Sequence, residues 1–433
     1  MAACLTKTPG QKDRSGKPGV ADPEPVPTPE SSPSSLFERL RELSALFLKL
    51  GCISFGGPAA HIALMDGEIV RKRRWVTQQQ FLDMVGAANL IPGPTSTELA
   101  INVGFVRAGW AGLGVAGASF ILPAALITGA FAWTYVRFGT LPQAASALGG
   151  IKPAVIAVIA IAIWRLGKTA VRDVGLAALG FLSLAAFFLG LNPIAILFGG
   201  GVVGMLARRA TARYSASAPL LSFTLPWRAF SVSAAARRSW ALFLARFAAA
   251  VVAVVPVARP SLGLIALFFL KVGAVLYGGG YVLLAFLEQG LTRQHAWLTH
   301  QQLLDAVAIG QFTPGPVLST ATFIGYILGG APGAAVATVA IFLPSFFYVG
   351  LLAPVLFRLR QSAWMAAFLD SVNVSAVALM AGVTYRLVID ALRGWPSWLI
   401  AAAALAALLR WKVNPAWVVL GGGIAGLLLA AMR

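Results

Sequence analysis

The 433-residue sequence predicts an all-α integral membrane protein whose two homologous halves form an inverted-topology repeat with broken, re-entrant helices. Three observations carry that expectation. The first is composition: 58% of residues are hydrophobic and 11% are charged, against about 25% charged in a soluble domain. So little charge cannot clothe a water-facing surface, which excludes a cytosolic enzyme, a disulfide scaffold and a coiled coil. The second is a duplication. SFGGPAAHIALM at 54–65 matches LYGGGYVLLAFL at 276–287, and IPGPTSTELA at 91–100 matches TPGPVLSTAT at 313–322. Phe47 and Phe269, Lys49 and Lys271, Trp75 and Trp297, Asp83 and Asp305, and Pro92 and Pro314 all stand 222 positions apart. Arg165 and Arg386 pair at 221, and LNPIAILFGGGVVG at 191–204 meets VNPAWVVLGGGIAG at 413–426. The third is the unmatched apolar stretch WALFLARFAAAVVAVVP at 240–256, long enough to span by the usual length of about 20 residues. One extra crossing inverts the second half if each half starts and ends on the same side.

Taken in order, residues 1–36 read as a disordered cytoplasmic tail, because 7–35 is rich in Lys, Pro, Ser and acidic residues and has almost nothing apolar to bury. It carries no apolar signal-peptide core, so the first membrane segment should direct insertion. Residues 37–207 form the first repeat, 208–258 a basic loop with the linking helix, and 259–433 the second repeat. Within the first repeat, 37–70 and 77–106 are apolar but interrupted at Gly56-Gly57-Pro58 and Pro92-Gly93-Pro94. The stretches 110–136, 151–166, 170–190 and 192–207 read as crossings, with turns near 139–149 and 188–192. The total depends on whether each broken stretch is a hairpin or two crossings, and comes to roughly nine to thirteen at about 20 residues each.

The formal charge of +19 is spread over short loops rather than gathered in one patch, so it speaks for topology and not for nucleic acid. Arg71-Lys72-Arg73-Arg74, Arg107, Arg165, Lys168, Arg172, Arg208 and Arg209 would be cytoplasmic, and only Arg137 approaches the outer turns. In the second half the bias is exchanged: Arg107 gives way to Leu328, and new charges appear at Arg358, Arg360, Arg410 and Lys412. Antiparallel halves follow, with Arg386 and Arg393 as exceptions. Cys4 and Cys52 make no disulfide framework, and His61, His295 and His300 have no metal-ligand spacing. No cofactor, metal or catalytic residue is expected. An intramembrane enzyme would need a nucleophile–base pair, and none is visible.

Broken helices at matching positions of an inverted repeat point to a transport site. Proline removes a backbone donor and glycine loosens the helix, so each break bares polar backbone that must line a cavity or be covered by protein. A helix restarting after such a break offers N–H groups and a partial positive charge to an anion. The expected anion-binding residues are Pro92, Gly93, Pro94, Thr95 and Ser96 in one half and Pro314, Gly315, Pro316, Ser319 and Thr320 in the other. Gly56, Gly57, Gly278 and Gly279 join them at the glycine breaks, and Lys49 and Lys271 as matched lysines inside apolar runs. Kinks made for packing, hydroxyls bonded back to the preceding turn, and lysines reaching to an interface are the structural alternatives. Asp83, Asp305 and Glu98 are the candidate coupling carboxylates; the aspartates would pair with the lysines or carry protons. Trp75 and Trp297 read as interface anchors.

With these residues together, SFGGPAAHIALM, Trp75, IPGPTSTELA, FTPGPVLSTATFIGY and IFLP at 341–344, the chain resembles the chromate ion transporter family in its long, two-domain form. The resemblance covers nearly everything past residue 36. It departs from the usual family pattern at Ala60-His61 and Thr95-Ser96-Thr97-Glu98. It implies a multi-pass carrier of the bacterial inner membrane that exports chromate, a tetrahedral dianion resembling sulfate, and so confers chromate resistance. Coupling would be to protons or to a counter-anion such as sulfate. Transport of sulfate or another oxyanion, or an anion channel, is the alternative. The lipid bilayer is the remaining partner, and a homodimer is left open.

Overall fold

A computed structural model describes residues 35–55, 57–139, 141–215, 260–277, 280, 282–359, 363–392, 394–411 and 413–432. The N-terminal tail, the 240–256 stretch, Gly56, Gly278, Gly279, Arg360, Arg393 and Lys412 lie outside the described residues. Everything described is helical or turn, and no strand occurs among the described residues.

The first half opens with α1 (Leu36–Ile53), started by a capping box in which Ser35 and Glu38 satisfy each other's backbone N–H groups. After the glycine break come α2 (Pro58–Met65), a π-helical turn (Asp66–Lys72) and α3 (Gln78–Ala88), itself started by a Thr77/Gln80 capping box. The Pro-Gly-Pro corner leads into α4 (Thr95–Phe138), which folds back on itself at Ala108-Gly109, where the backbone leaves helical angles. Gly104 then lies against Gly112, allowing the two arms to touch backbone to backbone. Helices α5 (Pro142–Ala170), α6 (Val174–Phe188) and α7 (Pro193–Ser215) complete the half.

The second half repeats this order with α8 (Leu262–Val275), α9 (Leu283–Leu287), a π-helical turn (Glu288–Gln294) and α10 (His300–Phe312). After a short 3-10 turn (Val317–Ser319) come α11 (Thr320–Leu359), folded back at Gly329-Gly330, α12 (Ala363–Ala391), α13 (Trp395–Arg410) and α14 (Pro415–Ala431). The capping box recurs as Thr299/Gln302, at the positions equivalent to Thr77 and Gln80.

Four helices are long and apolar enough to cross a membrane among the described residues, within α4, α5, α11 and α12. The stretch expected to turn near 139–149 is mostly helix, since α5 already begins at Pro142. Each broken stretch is a hairpin, not a pair of crossings. Arg39 near the start of α1 donates to the Arg107 carbonyl (3.2 Å), and Arg107 pairs with Glu42 (2.9 Å) and covers the Trp75 ring (4.8 Å). The start of α1, the turn after α2 and the fold-back of α4 therefore share one face. An 11-residue α3 rises only about 17 Å, near half the ~30 Å hydrocarbon core.

The two halves are antiparallel. Arg172, just past the end of α5, and Arg208, near the end of α7, both reach Asp370 near the start of α12 (3.6 Å each). Helix α12 thus starts at the face where its counterpart α5 ends. Gly200 lies against Ser375 and Gly204 against Ser371, while Gly422 lies against Ala154 and Gly426 against Gly150. Both contacts are antiparallel and each exchanges a helix between halves. Small residues allow that approach, as membrane helix packing requires without a hydrophobic drive.

Candidate functional site at the meeting of the halves

The Pro-Gly-Pro corner of each half docks on the glycine break of the other. The Gly93 N–H donates to the Leu276 carbonyl (2.7 Å), and the Gly315 N–H donates to the Ser54 carbonyl (2.8 Å). Leu276 and Ser54 are themselves repeat equivalents, so the two bonds are one latch drawn twice. Gly93 (φ 144) and Gly315 (φ 90) adopt backbone angles that side chains rarely tolerate. The breaks were expected to present N–H groups to an anion. In this conformation the glycine N–H groups are instead engaged across the halves.

The hydroxyls beyond the corners divide. Ser96 and Ser319 are buried, and Ser319 accepts from Thr128 (3.2 Å). Thr320 donates back to the Val317 carbonyl (2.8 Å), the local bonding that competes with a ligand role. Thr95 reaches Asn89 (3.4 Å), and no side chain caps the start of α4. At the glycine breaks, Gly57 has φ 82 and precedes Pro58 at the start of α2. His61 is buried and its Nε2 meets the Ser54 carbonyl (3.1 Å); a carbonyl only accepts, so that nitrogen carries the proton.

Glu98 is fully buried beside the first corner. The Ser345 hydroxyl, from the other half, stands beside its carboxylate. A side chain added at Gly93 would strike Glu98 and the Ser345 hydroxyl. Tyr277 and Tyr348 lie within electrostatic reach, their hydroxyls donating to the carbonyls of Leu90 and Ala274 (3.1 Å each). This corner holds buried polar groups contributed by both halves.

The lysines and aspartates do not combine as expected. Lys49 is half exposed and pairs with Glu68 (2.8 Å) on the first half's face. Lys271, its counterpart, takes no part in that pair and lies beside Asn192, Gln289 and His295. Asp305 pairs with neither. It meets Lys152 of α5 (2.9 Å), a residue the sequence reading missed, and accepts from the Tyr135 hydroxyl (2.9 Å). Lys152 and Asp305 are almost wholly buried (6% and 3% side-chain exposure) and come from different halves. Repeat symmetry puts Asn373 where a second Lys152 would stand, so this pair exists once. Asp83 is half buried with Gln79 beside it (3.3 Å). Trp75 lies beneath Arg73 and Arg107, and Trp297 stacks on His295 (4.4 Å between ring centres). Arg386, an exception to the charge pattern, is compensated by buried Glu288 (3.5 Å) and covers Phe187 (4.3 Å).

A family model described as chromate transporter matches the chain twice, over residues 41–205 and 263–427. The chain belongs to that family. The chromate transport protein of Cupriavidus metallidurans is 32% identical over 390 residues, covering 90% of this chain and 92% of the relative. A probable chromate transport protein of Synechococcus elongatus is also 32% identical, covering 87% of this chain and 91% of the relative. An uncharacterized transporter of Bacillus subtilis is 28% identical over 169 residues, 37% of this chain but 95% of its own length. The single half thus occurs elsewhere as a protein in itself, which makes the internal repeat a duplication. No solved structure matches the chain. Family members are transporters, and with its apolar spanning helices this one is a multi-pass membrane protein.

Proposed function

We propose that this transporter exports an oxyanion, chromate, across the bacterial inner membrane by alternating access, coupled to protons or to exchange with a counter-anion such as sulfate. The relatives' names supply the anion. The observation that carries the mechanism is the reciprocal pair of latches, Gly93 to Leu276 and Gly315 to Ser54, at the centre of an inverted repeat. Each latch joins a hairpin entering from one face to a hairpin entering from the other. Hairpins of either face withdraw only by parting these bonds, and repeat symmetry makes the two withdrawals similar in energy. A parted latch bares a glycine N–H near a helix start, where an oxyanion replaces the lost carbonyl.

In this reading the anion passes between Pro92–Ser96 and Pro314–Thr320, with Gly56, Gly57, Gly278 and Gly279 shaping the tips. Residues 37–207 and 259–433 are the halves that move. Glu98 and Asp305 carry the coupling, with Lys152 as the cation that Asp305 holds until the anion arrives. The face of Trp75, Arg107 and Arg172 is cytoplasmic, because the basic residues concentrate there and it also receives the end of α13 at Arg410.

The test is chromate movement in proteoliposomes under an imposed pH gradient, with sulfate and other oxyanions in competition. Accumulation against the chromate gradient, abolished when the driving gradient is collapsed, supports a carrier. Flux that only runs downhill identifies a channel. Competition that leaves chromate flux untouched by sulfate but blocked by another oxyanion would rename the substrate.

A further inference from the structure

The two halves differ at one matched place. In the first half Lys49 is neutralised by Glu68, which also lies near Lys72 (3.6 Å) and Arg73 (3.7 Å). The position equivalent to Glu68 in the second half is Gly290, and the one equivalent to Arg73 is His295. Lys271 consequently has no carboxylate partner among the described residues. A groove of about 500 Å³ opens beside it, between the start of α7, α8 and the π-helical turn.

The polar side chains lining that groove are Asn192, Lys271, Gln289, Gln294 and His295, with the Trp297 ring among them. None is acidic. The neighbouring carboxyl, Glu288, is fully buried and held by Arg293 (2.7 Å) and Arg386. His295 Nδ1 and Trp297 Nε1 are buried atoms with no hydrogen-bond partner among the described residues. The 23-residue helix α7 also begins in this wall at Pro193, so its positive end faces the groove. Burial, and Lys271 beside it, hold His295 below its usual range, and Lys271 is the only lysine or arginine among the lining residues.

We infer that this groove is an anion site of the second half alone, taking a tetrahedral oxyanion such as sulfate or phosphate, free or as a lipid headgroup, on Lys271 with the amides of Gln289 and Gln294. A lone half-buried ammonium, donor-rich walls, orphaned ring nitrogens and a helix start all favour one ligand charge. Apolar residues Leu264, Leu267 and Phe268 complete the wall, a surface that suits a lipid's glycerol region as well as it bounds a free ion. The site is distinct from the central corner and does not rest on the carrier reading.

The test uses the full chain in detergent and measures radiolabelled sulfate bound at equilibrium, then repeats the measurement with inorganic phosphate. A parallel arm places the protein in nanodiscs of phosphatidylcholine with or without phosphatidylglycerol and follows thermal stability. Lys271→Gln removes the charge, and Gln289→Glu restores a carboxylate with almost no change in shape. Each should weaken binding by tenfold or more. Saturable sulfate or phosphate binding lost in both variants identifies a free oxyanion. Stabilisation by phosphatidylglycerol alone, lost in both variants, identifies a lipid phosphate. Binding and stabilisation that are absent, or that survive both substitutions, overturn the site. Because the assay reads binding without transport, its failure leaves the carrier reading standing, and a failed transport assay leaves the groove standing.

Discussion

Lys152 and Asp305 are the most exacting residues in the molecule, since each carries charge into an interior that solvates neither. Breaking a buried pair by removing one partner costs about 3–5 kcal/mol, because the survivor is left uncompensated. Lys152→Met alone and Asp305→Asn alone should therefore lower the unfolding temperature in detergent sharply. The double variant should recover most of that loss while remaining inactive in chromate transport. A double variant that transports normally would reduce the pair to scaffolding. Lys49 makes the opposite case: its side chain is half exposed on Glu68, and an exposed pair is worth about 0–1 kcal/mol. Lys49→Ala should leave expression and thermal stability unchanged, and a clear drop in either would show that this exposed pair holds the fold. Lys152 was hard to read because its repeat position holds Asn373, so the duplication drew no attention to it. The signal that was available is its position in the apolar run GGIKPAVIAVIAIAIW, where an ion is costly.

At the scale of elements, the corner and the fold-back decide what a helix can do. Gly93 and Gly315 hold left-handed angles, and the space beside each is filled, by Glu98 and Ser345 in one case and by Ala124 and the Gly51 carbonyl in the other. Gly→Val at either should abolish export or raise the half-saturating chromate concentration. Ser96→Ala or Ser319→Ala should cost less, about 0.5–1.5 kcal/mol for one neutral hydrogen bond, or roughly two- to twelve-fold in affinity. A well-expressed double valine variant exporting at the original affinity would make the corners packing kinks. The breaks themselves were legible, because Pro-Gly-Pro cannot continue a helix. Their partners were not, because a carbonyl in the other half has no sequence signature.

Over the whole molecule, the inversion makes a topological demand. Helix α7 ends at the face of Arg172 and Asp370, while α8 begins beside the Gly329-Gly330 fold-back at the other. With the first face cytoplasmic, a cysteine placed at position 73 should label from the cytoplasm and one at 295 from outside. Labelling of both from one side contradicts antiparallel halves. The charge pattern leads to the same expectation of antiparallel halves; of its two exceptions, Arg386 is compensated by Glu288 and Arg393 lies outside the described residues.

The sequence by itself determined that the chain lives in a membrane, that it is a duplication, and where its helices must break, since hydropathy, repeat spacing and proline chemistry are properties of the covalent chain. It pointed to Pro92–Pro94 and Pro314–Pro316 as the breaks of the fold and to Asp83, Asp305 and Glu98 as candidate coupling carboxylates. Only the tertiary structure decided what these groups meet: the corner N–H groups latched onto carbonyls of the other half, Asp305 held by Lys152, Lys49 neutralised and Lys271 left with a groove. Repeat symmetry copies backbone geometry faithfully, but pairing of charges depends on which side chains converge in space. The two halves, free to diverge at Glu68 and Gly290 or at Lys152 and Asn373, converge differently.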